Sequence, residues 1–331
     1  MFAILLNSRC LHTSVRRLAG VDKATLSKLR KKTGFSIMHC KNALEQFNND
    51  LEKAEHWLRE QAQKEGWVRA TKLQGRPMSQ GLVGILKDTH IATMIEVNCE
   101  TDFVAKNSKF HDLVARLTTA CHENFVKLNQ PRCDLNTDAL ATVPAGNGKT
   151  LADIVAMEVG NIGENIATRR AVCLTTGNDI QLGCYVHLAG PQIQTNSDCI
   201  MGKYGAMLTL KQVSSEVNPE LSLDETTHLI CQHIVGMNPK VIGERGEEPT
   251  SEKVSRPTEA DNESESKSNP DGSDEEEVPK EKVKVEENRL IYQEYLLDTS
   301  ITMGEFMENN CVDVLDFVRY ECGEDLENSH S

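Results

Sequence analysis

The spacing of the apolar residues changes near residue 80, and this change limits the folds that the chain can adopt. Before it, apolar residues recur at helical intervals, as at Leu51, Ala54 and Leu58, which predicts a helix with one buried face. After it, residues 81–87 and 91–98 form two short β-branched runs separated by Asp-Thr-His, which predicts a hairpin. The chain therefore combines a helical N-terminal unit with a region that contains strands.

The helical unit spans residues 21–66, and its pattern predicts three short helices. Gly34 is a plausible C-terminal stop for the first helix, and Ser36 can cap the second. The residues Asn-Asn-Asp at 48–50 predict the turn before the third helix. Residues 67–80 are rich in basic side chains and include glycine and proline, so we expect a linker there.

The region after residue 98 alternates between helical and strand patterns. One long amphipathic helix is predicted by a stripe at Phe110, Leu113, Val114, Leu117, Cys121, Phe125 and Leu128. A second helix is predicted by Leu151, Ile154, Val155, Val159, Ile162 and Ile166. Strands are predicted at 171–176, 180–189 and 205–210, followed by a helix at about 223–235, a short helix capped by Ser300 or Thr302, and a closing strand.

Strands joined by short loops and mixed with long helices predict an α+β fold. We expect the N-terminal three-helix domain to precede a core of two subdomains with antiparallel sheets and packed helices. These subdomains are predicted at residues 81–177 and 178–325.

The formal net charge of −14 is concentrated in the second half of the chain. Residues 244–287 carry no aromatic residue and no Leu, Ile, Met or Cys, but many Ser, Pro and acidic residues. Such a segment cannot bury enough apolar surface to offset its ordering entropy, so we predict a disordered acidic insertion within a domain. We also predict an acidic tail at residues 326–331. No block has the basic excess of a nucleic-acid binder, and no apolar run is long enough for a membrane span.

The first 20 residues have a different composition from the rest. Arginines stand at Arg9, Arg16 and Arg17, hydroxyl residues lie among them, and no acidic residue precedes Asp22. This composition is typical of a mitochondrial transit peptide, which predicts a location in the mitochondrial matrix. A disordered N-terminus is the alternative interpretation.

The sequence contains no strong signature of catalysis, a cofactor or a metal. The 11 cysteines form no C-x-x-C pair, so we expect reduced, mostly buried thiols. Residues 145–150, "AGNGKT", lack the first glycine of a phosphate loop. His228, Cys231 and His233 lie on a predicted helix, where buried polar residues are more common than a metal site. An enzyme is not supported, although the members of a catalytic triad stand far apart in sequence.

The stretch "TDFVA" at 101–105 allows two interpretations. In the first, Thr101 caps a helix, Asp102 faces the helix dipole and Phe103 is packed in the core. In the second, Phe103 projects from a tight helical turn and contacts another protein.

Several segments together resemble the elongation factor Ts family. "TGFSIMHCKNALEQFNNDLEKAEHWLRE" resembles its N-terminal module, and "IEVNCETDFVAKNSKFHDL" its Thr-Asp-Phe-Val signature. "NIGENIATRR" and "LLDTSITMGEFM" with "VLDFVRYECGE" follow in the family's order, so the resemblance covers most of residues 22–243 and 288–325. Departures are His39 where Asp is common, Gln80 where Glu is usual, and the lack of prolines in "QEYLLDT"; these weaken individual contacts.

The resemblance implies a ubiquitin-associated-like (UBA-like) N-terminal domain and guanine-nucleotide exchange on elongation factor Tu. It implies contacts with this GTPase near its magnesium site through Thr101, Asp102, Phe103 and Val104. It also implies contacts of the N-terminal module through Thr33, Gly34, Ile37, Met38, Cys40 and Lys41. We expect a heterodimer with a mitochondrial elongation factor Tu, and no self-dimerising coiled coil, because the acidic insertion cannot form one. The alternatives are a binding module that holds a GTPase without exchange, or a UBA-like scaffold.

Overall fold

The computed structural model describes residues 21–33, 35, 37–73, 75–128, 130–187, 198–213, 219–246 and 287–326. The predicted transit peptide at 1–20 lies outside these residues. So do 247–286 of the predicted acidic insertion and 327–331 of the predicted acidic tail.

Three helices form the N-terminal unit: α1 (Lys23–Thr33), α2 (Ile37–Gln46) and α3 (Leu51–Leu73). Asn48 and Asn49 adopt positive φ angles of 51° and 65° in the turn before α3, a conformation that Asn tolerates better than most residues. The helices enclose a small apolar core of Leu29, Cys40, Ala43, Leu44, Ala54 and Leu58. This unit has the three-helix composition that the sequence predicted.

The third helix is longer than the sequence predicted. It continues through Gly66 to Leu73, so residues 67–73, which we expected to begin a linker, are helical. A Cβ atom on Gly66 would lie 2.1 Å from the backbone oxygen of Ala156 in helix α7 (Leu151–Ile162). Gly66 therefore permits a close crossing of two helices and does not end α3. The Trp67 indole N–H also donates to Asp153 Oδ1 of α7, at 3.2 Å.

The first sheet of the core is antiparallel, with strand order β3-β4-β2-β1-β6. Its strands are β1 (Gln80–Lys87), β2 (Ile91–Cys99), β3 (Arg132–Asn136), β4 (Ile166–Thr175) and β6 (Ile200–Gly202). The helices of this region are α4 (Asp102–Ala105), α5 (Ser108–Leu128), α6 (Thr137–Thr142) and α7. The predicted hairpin is β1 and β2, with Leu82 opposite Val97.

A second antiparallel sheet has the order β10-β7-β5. Its strands are β5 (Ile180–His187), β7 (Tyr204–Gln212) and β10 (Val312–Glu321). Helix α8 (Leu223–Met237), the short pair β8 (Glu294–Tyr295) and β9 (Asp298–Thr302), and α9 (Met303–Asn309) complete this part of the fold. The architecture confirms the predicted α+β class.

Strand β2 is buried along its whole length. Ile95 and Val97 pack in a cluster with Phe110 of α5 and Val159 of α7. Alternate β2 residues such as Met94 pack in another cluster, with residues of the second sheet. Because successive strand residues point to opposite faces, the first sheet is covered by helices on one face and by the second sheet on the other.

Glu96 of β2 is a fully buried carboxylate with charged partners. Its oxygens accept hydrogen bonds from Arg169 Nη1 at 3.1 Å, Arg170 Nε at 2.7 Å and the backbone N–H of Gly323 at 2.8 Å. Asn98 Nδ2 donates a further bond, at 3.0 Å. Glu96 therefore ties the segment after β10 to the middle of the first sheet.

The chain on the two sides of residues 247–286 is paired. Val241 and Arg289 form a parallel β-bridge. The N–H of Lys240 donates to the Asn288 carbonyl at 2.7 Å, and the N–H of Leu290 to the Val241 carbonyl at 2.8 Å. The described residues that precede and follow the segment thus meet in space.

Candidate partner-binding site

Helix α4 is a single turn that follows β2 directly. Thr101 is its N-cap, with extended backbone angles (φ −124°, ψ 153°), and its side chain accepts a hydrogen bond from the Val104 N–H at 3.3 Å. This confirms the predicted capping role of Thr101. The chain then turns at Lys106 and Asn107 before α5 begins at Ser108.

Phe103 projects from this turn into solvent. Its side chain is 82% exposed, the largest exposed fraction among the large apolar residues of the described part of the chain. The interpretation of Phe103 as a packed core residue is therefore wrong. Val104, which we predicted as a partner contact, is only 7% exposed and belongs to the core cluster beneath α4. Val104 fixes the turn to the core, whereas Phe103 is free to contact a partner.

Asp102 lies beside Phe103 at the start of α4, with about half of its side chain exposed. Lys106 Nζ, one turn later, lies 2.8 Å from Asp102 Oδ2. The hydrogen bond from Lys106 keeps the pKa of Asp102 below its usual value, so this carboxylate is ionised at neutral pH. The turn therefore presents a negative charge and an apolar ring side by side.

Two carboxylates hold the backbone that leads into α4. The Thr101 hydroxyl donates to both oxygens of Glu164, at 2.9 and 3.0 Å. Glu100 accepts from the backbone N–H of Asn165 at 2.7 Å and forms an ion pair with Arg76 at 3.2 Å. Sequence reasoning gave no role to Glu100 or Glu164, because the groups that they accept from in the other loop, Asn165 and Thr101, stand more than 60 residues away in the chain. The only feature of the sequence that could have indicated a role is their position: Glu100 precedes the stretch "TDFVA", and Glu164 lies within "NIGENIATRR".

The thiol of Cys99 lies beneath the same loop and points to the Thr101 carbonyl, at 3.3 Å. Burial raises the pKa of Cys99 to about 12, and burial likewise raises the pKa of Cys121 to about 12. Such thiols stay protonated and are poor nucleophiles. These two cysteines are the buried, reduced residues that the sequence predicted.

The predicted contacts of the N-terminal module divide into two groups. Ile37 and Met38 at the start of α2 are 53% and 63% exposed, and Lys41 is exposed as well. Cys40 is fully buried in the core of the module, so its prediction as a contact residue is wrong. Thr33 is partly buried and donates its hydroxyl to the Leu29 carbonyl at 2.7 Å. Gly34 lies outside the described residues.

A cleft of about 660 Å³ is lined by residues of both the N-terminal module and the core. Thr33 and His39, on either side of the Ile37 and Met38 pair in sequence, line it on the side of the module. Lys109 and Asp112, in the first turns of α5, line it on the side of the core. The two predicted contact segments thus lie in the two parts of the molecule that border this cleft.

Within the described ranges, no group of three or more His, Cys, Asp or Glu side chains is arranged to hold a metal ion. No helix in the same part of the chain is long and apolar enough to cross a membrane. His233, one of the three residues that raised the question of a metal, bonds to Gln293 Oε1 at 3.0 Å and accepts from the Leu296 N–H at 3.2 Å.

Comparison with known proteins identifies the class of translation factors to which these features correspond. A family model described as "Elongation factor TS" matches residues 100–324, and one described as "Elongation factor Ts, mitochondrial, N-terminal" matches residues 8–68. The chain belongs to the elongation factor Ts family, as the resemblance of its motifs predicted.

Similar proteins cover almost the whole chain. "Elongation factor Ts, mitochondrial" of Aedes aegypti is 40% identical over 319 residues, which is 95% of this chain and 92% of that protein. The protein of the same name from Branchiostoma floridae is 41% identical, over 96% of this chain and 94% of its own length. The Homo sapiens protein of that name is 37% identical, over 92% of this chain and 84% of its own length.

Proposed function

We propose that this chain is a guanine-nucleotide exchange factor that binds the GDP form of elongation factor Tu and promotes replacement of GDP by GTP. Membership of the elongation factor Ts family supports this function. The observation that carries it is the exposed ring of Phe103, held beside the ionised Asp102 on a capped turn with a buried anchor. An apolar ring held outward in this way is suited to enter a site on another protein.

In this proposal the factor stabilises a nucleotide-free state of its partner, so factor and nucleotide weaken each other's binding reciprocally. A magnesium ion bridges the phosphates in such GTPases and neutralises their charge. Asp102 and Phe103 would disturb this magnesium and phosphate site of the partner.

The magnitude of the effect requires more than one residue. A thousandfold faster release requires about 4 kcal/mol, whereas burial of one Phe side chain contributes about 2 to 3 kcal/mol. The remainder would come from a wider interface that includes Ile37 and Met38 on the N-terminal module. The proposed complex is a heterodimer with the GTPase, without direct contact with nucleic acid or membrane.

We further propose that the chain acts without chemical turnover and that it is located in mitochondria. The chain would change the partner's affinity for nucleotide, so it needs no cofactor and is not itself an enzyme. We place it in the mitochondrial matrix, and support comes from the names of its relatives and from the arginine-rich, acid-free start of the sequence.

Stopped-flow release of a fluorescent GDP from mitochondrial elongation factor Tu tests the function. Addition of the chain should raise the release rate in a saturable manner, with excess unlabelled GTP as the trap. A complex that forms without faster release would support the holding module and overturn the exchange proposal. An unrelated GTPase loaded with the same nucleotide is the specificity control and should show no acceleration.

A further inference from the structure

The loop before α4 and the loop before β4 hold each other through two reciprocal interactions. Glu164 accepts the Thr101 hydroxyl hydrogen bond at 2.9 and 3.0 Å, and Glu100 accepts the Asn165 N–H at 2.7 Å. Each loop thus supplies one carboxylate and one donor. We refer to Glu100, Thr101, Glu164 and Asn165 as the loop clamp.

The backbone between α7 and β4 brings the clamp residues into place. Gly163 ends α7 in the left-handed conformation, with φ 88°, which favours glycine. The next two residues then face the loop at the end of β2. Asn165 is 7% exposed, so its N–H needs a protein acceptor, and Glu100 provides it.

The Thr101 hydroxyl links the clamp to the turn that carries Phe103. A hydroxyl has one hydrogen to donate and lone pairs to accept with. Its hydrogen points to the Glu164 carboxylate, so a lone pair is left to accept the Val104 N–H at 3.3 Å. Glu164 therefore fixes the rotation of the hydroxyl that caps α4. A hydrogen bond to an ionised acceptor is stronger than one between neutral groups.

We infer that Glu164 is a positioning residue for nucleotide exchange, which acts through Thr101 to hold Asp102 and Phe103 in the orientation that perturbs the partner. This inference rests on the proposed exchange function. Loss of orientation lowers the rate of a step more than it lowers binding. The wider interface would keep its affinity when the clamp is opened, while the saturating release rate falls.

The Glu164→Ala variant tests this role in the full chain. At saturating factor, we expect the fluorescent-GDP release rate to fall about tenfold, as for loss of one charged hydrogen bond. The half-saturating concentration should stay within about twofold of the original value, because the role inferred for Glu164 is to orient Asp102 and Phe103 and not to contact the partner itself. The Glu164→Gln variant should restore most of the rate, because its amide oxygen still accepts from Thr101, although a neutral acceptor makes a weaker hydrogen bond.

The matched control is Glu158→Ala. Glu158 also lies near the end of α7 and pairs with Arg116 of α5 at 3.4 Å, but it does not touch the loop before α4. Its removal should leave the release rate unchanged. Equal rates for the Glu164→Ala, Glu158→Ala and original proteins would overturn the inference.

A mutant cycle with a variant that carries both Asp102→Ala and Phe103→Ala distinguishes positioning from general loss of structure. If Glu164 acts only through these two side chains, Glu164→Ala should have no further effect in that background. Independent rate losses, in which the effects of the substitutions multiply, would contradict the inference. Thermal unfolding of each variant checks that it is folded.

Amide hydrogen exchange of the free chain gives a readout that does not depend on activity. The Val104 amide should exchange faster in Glu164→Ala than in Glu164→Gln or Glu158→Ala. Unchanged protection of Val104 in Glu164→Ala would overturn the clamp, whatever the release assay shows. If the original chain fails to accelerate release, the exchange function fails, and the clamp is judged by Val104 protection alone.

Discussion

Phe103 and Val104 are consecutive residues of α4, yet the first is 82% exposed and the second 7%. One helical turn therefore carries an outward ring and an inward anchor. Removal of the exposed Phe103 ring should have little effect on stability, whereas removal of the buried Val104 side chain should have a large effect. Substitutions on this turn can therefore separate function from folding.

Replacement of Phe103 by Ala should slow nucleotide release without unfolding the chain. We expect the saturating release rate to fall about tenfold or more, because the apolar contact with the partner is lost. The free energy of unfolding should change by less than about 0.5 kcal/mol, since the ring makes few contacts in the free protein. Stopped-flow release and urea unfolding measure the two quantities. Leu315→Ala, at a residue 47% exposed on β10, is the control, and an unaltered rate in Phe103→Ala would exclude the proposed contact.

Replacement of Gly66 by Ala should separate α3 from α7. The new Cβ would lie 2.1 Å from the Ala156 backbone oxygen and 2.7 Å from its carbonyl carbon, and neither atom belongs to a flexible side chain. We expect a loss of about 1 to 3 kcal/mol in the free energy of unfolding. The half-saturating factor concentration should also rise, because the N-terminal module is displaced from the core.

Gly177→Ala is the control for that substitution, because a Cβ there meets nothing within 4 Å. It should change the free energy of unfolding by less than about 0.5 kcal/mol. Urea unfolding and the concentration dependence of nucleotide release measure both variants. Equal behaviour of the two would contradict the close crossing of α3 and α7.

Replacement of Glu96 by Ala should destabilise the whole core. The change leaves Arg169 and Arg170 without the buried carboxylate that pairs with both. Loss of one member of a buried ion pair costs about 3 kcal/mol or more, and the urea midpoint should fall accordingly. In contrast, Glu60→Ala removes an exposed partner that lies 3.7 Å from His56 and should cost less than about 0.5 kcal/mol. A small effect at Glu96 would mean that the network contributes little.

Stability should decrease between pH 7.5 and pH 5 because of His233. Burial lowers the pKa of His233 to about 4 from the ordinary value of 6.5. Between these two values the unfolded chain binds a proton that the folded chain does not, so stability is complete above about pH 6.5 and declines as the pH falls toward 4. The contribution lost by pH 5 is about 2 kcal/mol.

The His233→Asn variant provides the comparison, because an amide does not titrate. It should be less stable at pH 7.5, but it should lose about 2 kcal/mol less between pH 7.5 and pH 5 than the original chain. Urea unfolding at the two pH values measures this difference. The same pH-dependent loss in both proteins would show that His233 is not the group responsible.

Periodic segments were predictable because their burial has a regular spacing. The stripe from Phe110 to Phe125 is buried as predicted, and only Leu128, at the end of α5, is exposed. The predicted end of α7 was wrong, because an apolar residue of the following strand happens to continue the helical spacing. Ile166 continues the apolar spacing of α7 but is the first residue of β4, because Gly163 ends the helix. The short strands β3 and β6 were missed, since three to five residues define no period.

The candidate site was predictable in its local part only. The capping role of Thr101 follows from residue type and position, and the structure confirms it. The family resemblance, and not the sequence pattern, suggested Cys40 as a contact residue; the spacing of Cys40 and Leu44 is that of one helix face, and both side chains are buried in the core of the module. The pairing of Glu164 with Thr101 depends on tertiary structure, and no local pattern predicts it.

The β-bridge between Val241 and Arg289 affects how freely the length of the intervening segment can change in evolution. Their bridge already brings the two ends of the intervening segment together. Each doubling of the length of such a closed segment costs only about 0.6 kcal/mol. Selection for the fold therefore constrains the length of this segment weakly, and homologous proteins can gain or lose residues here while the sheets on either side stay the same.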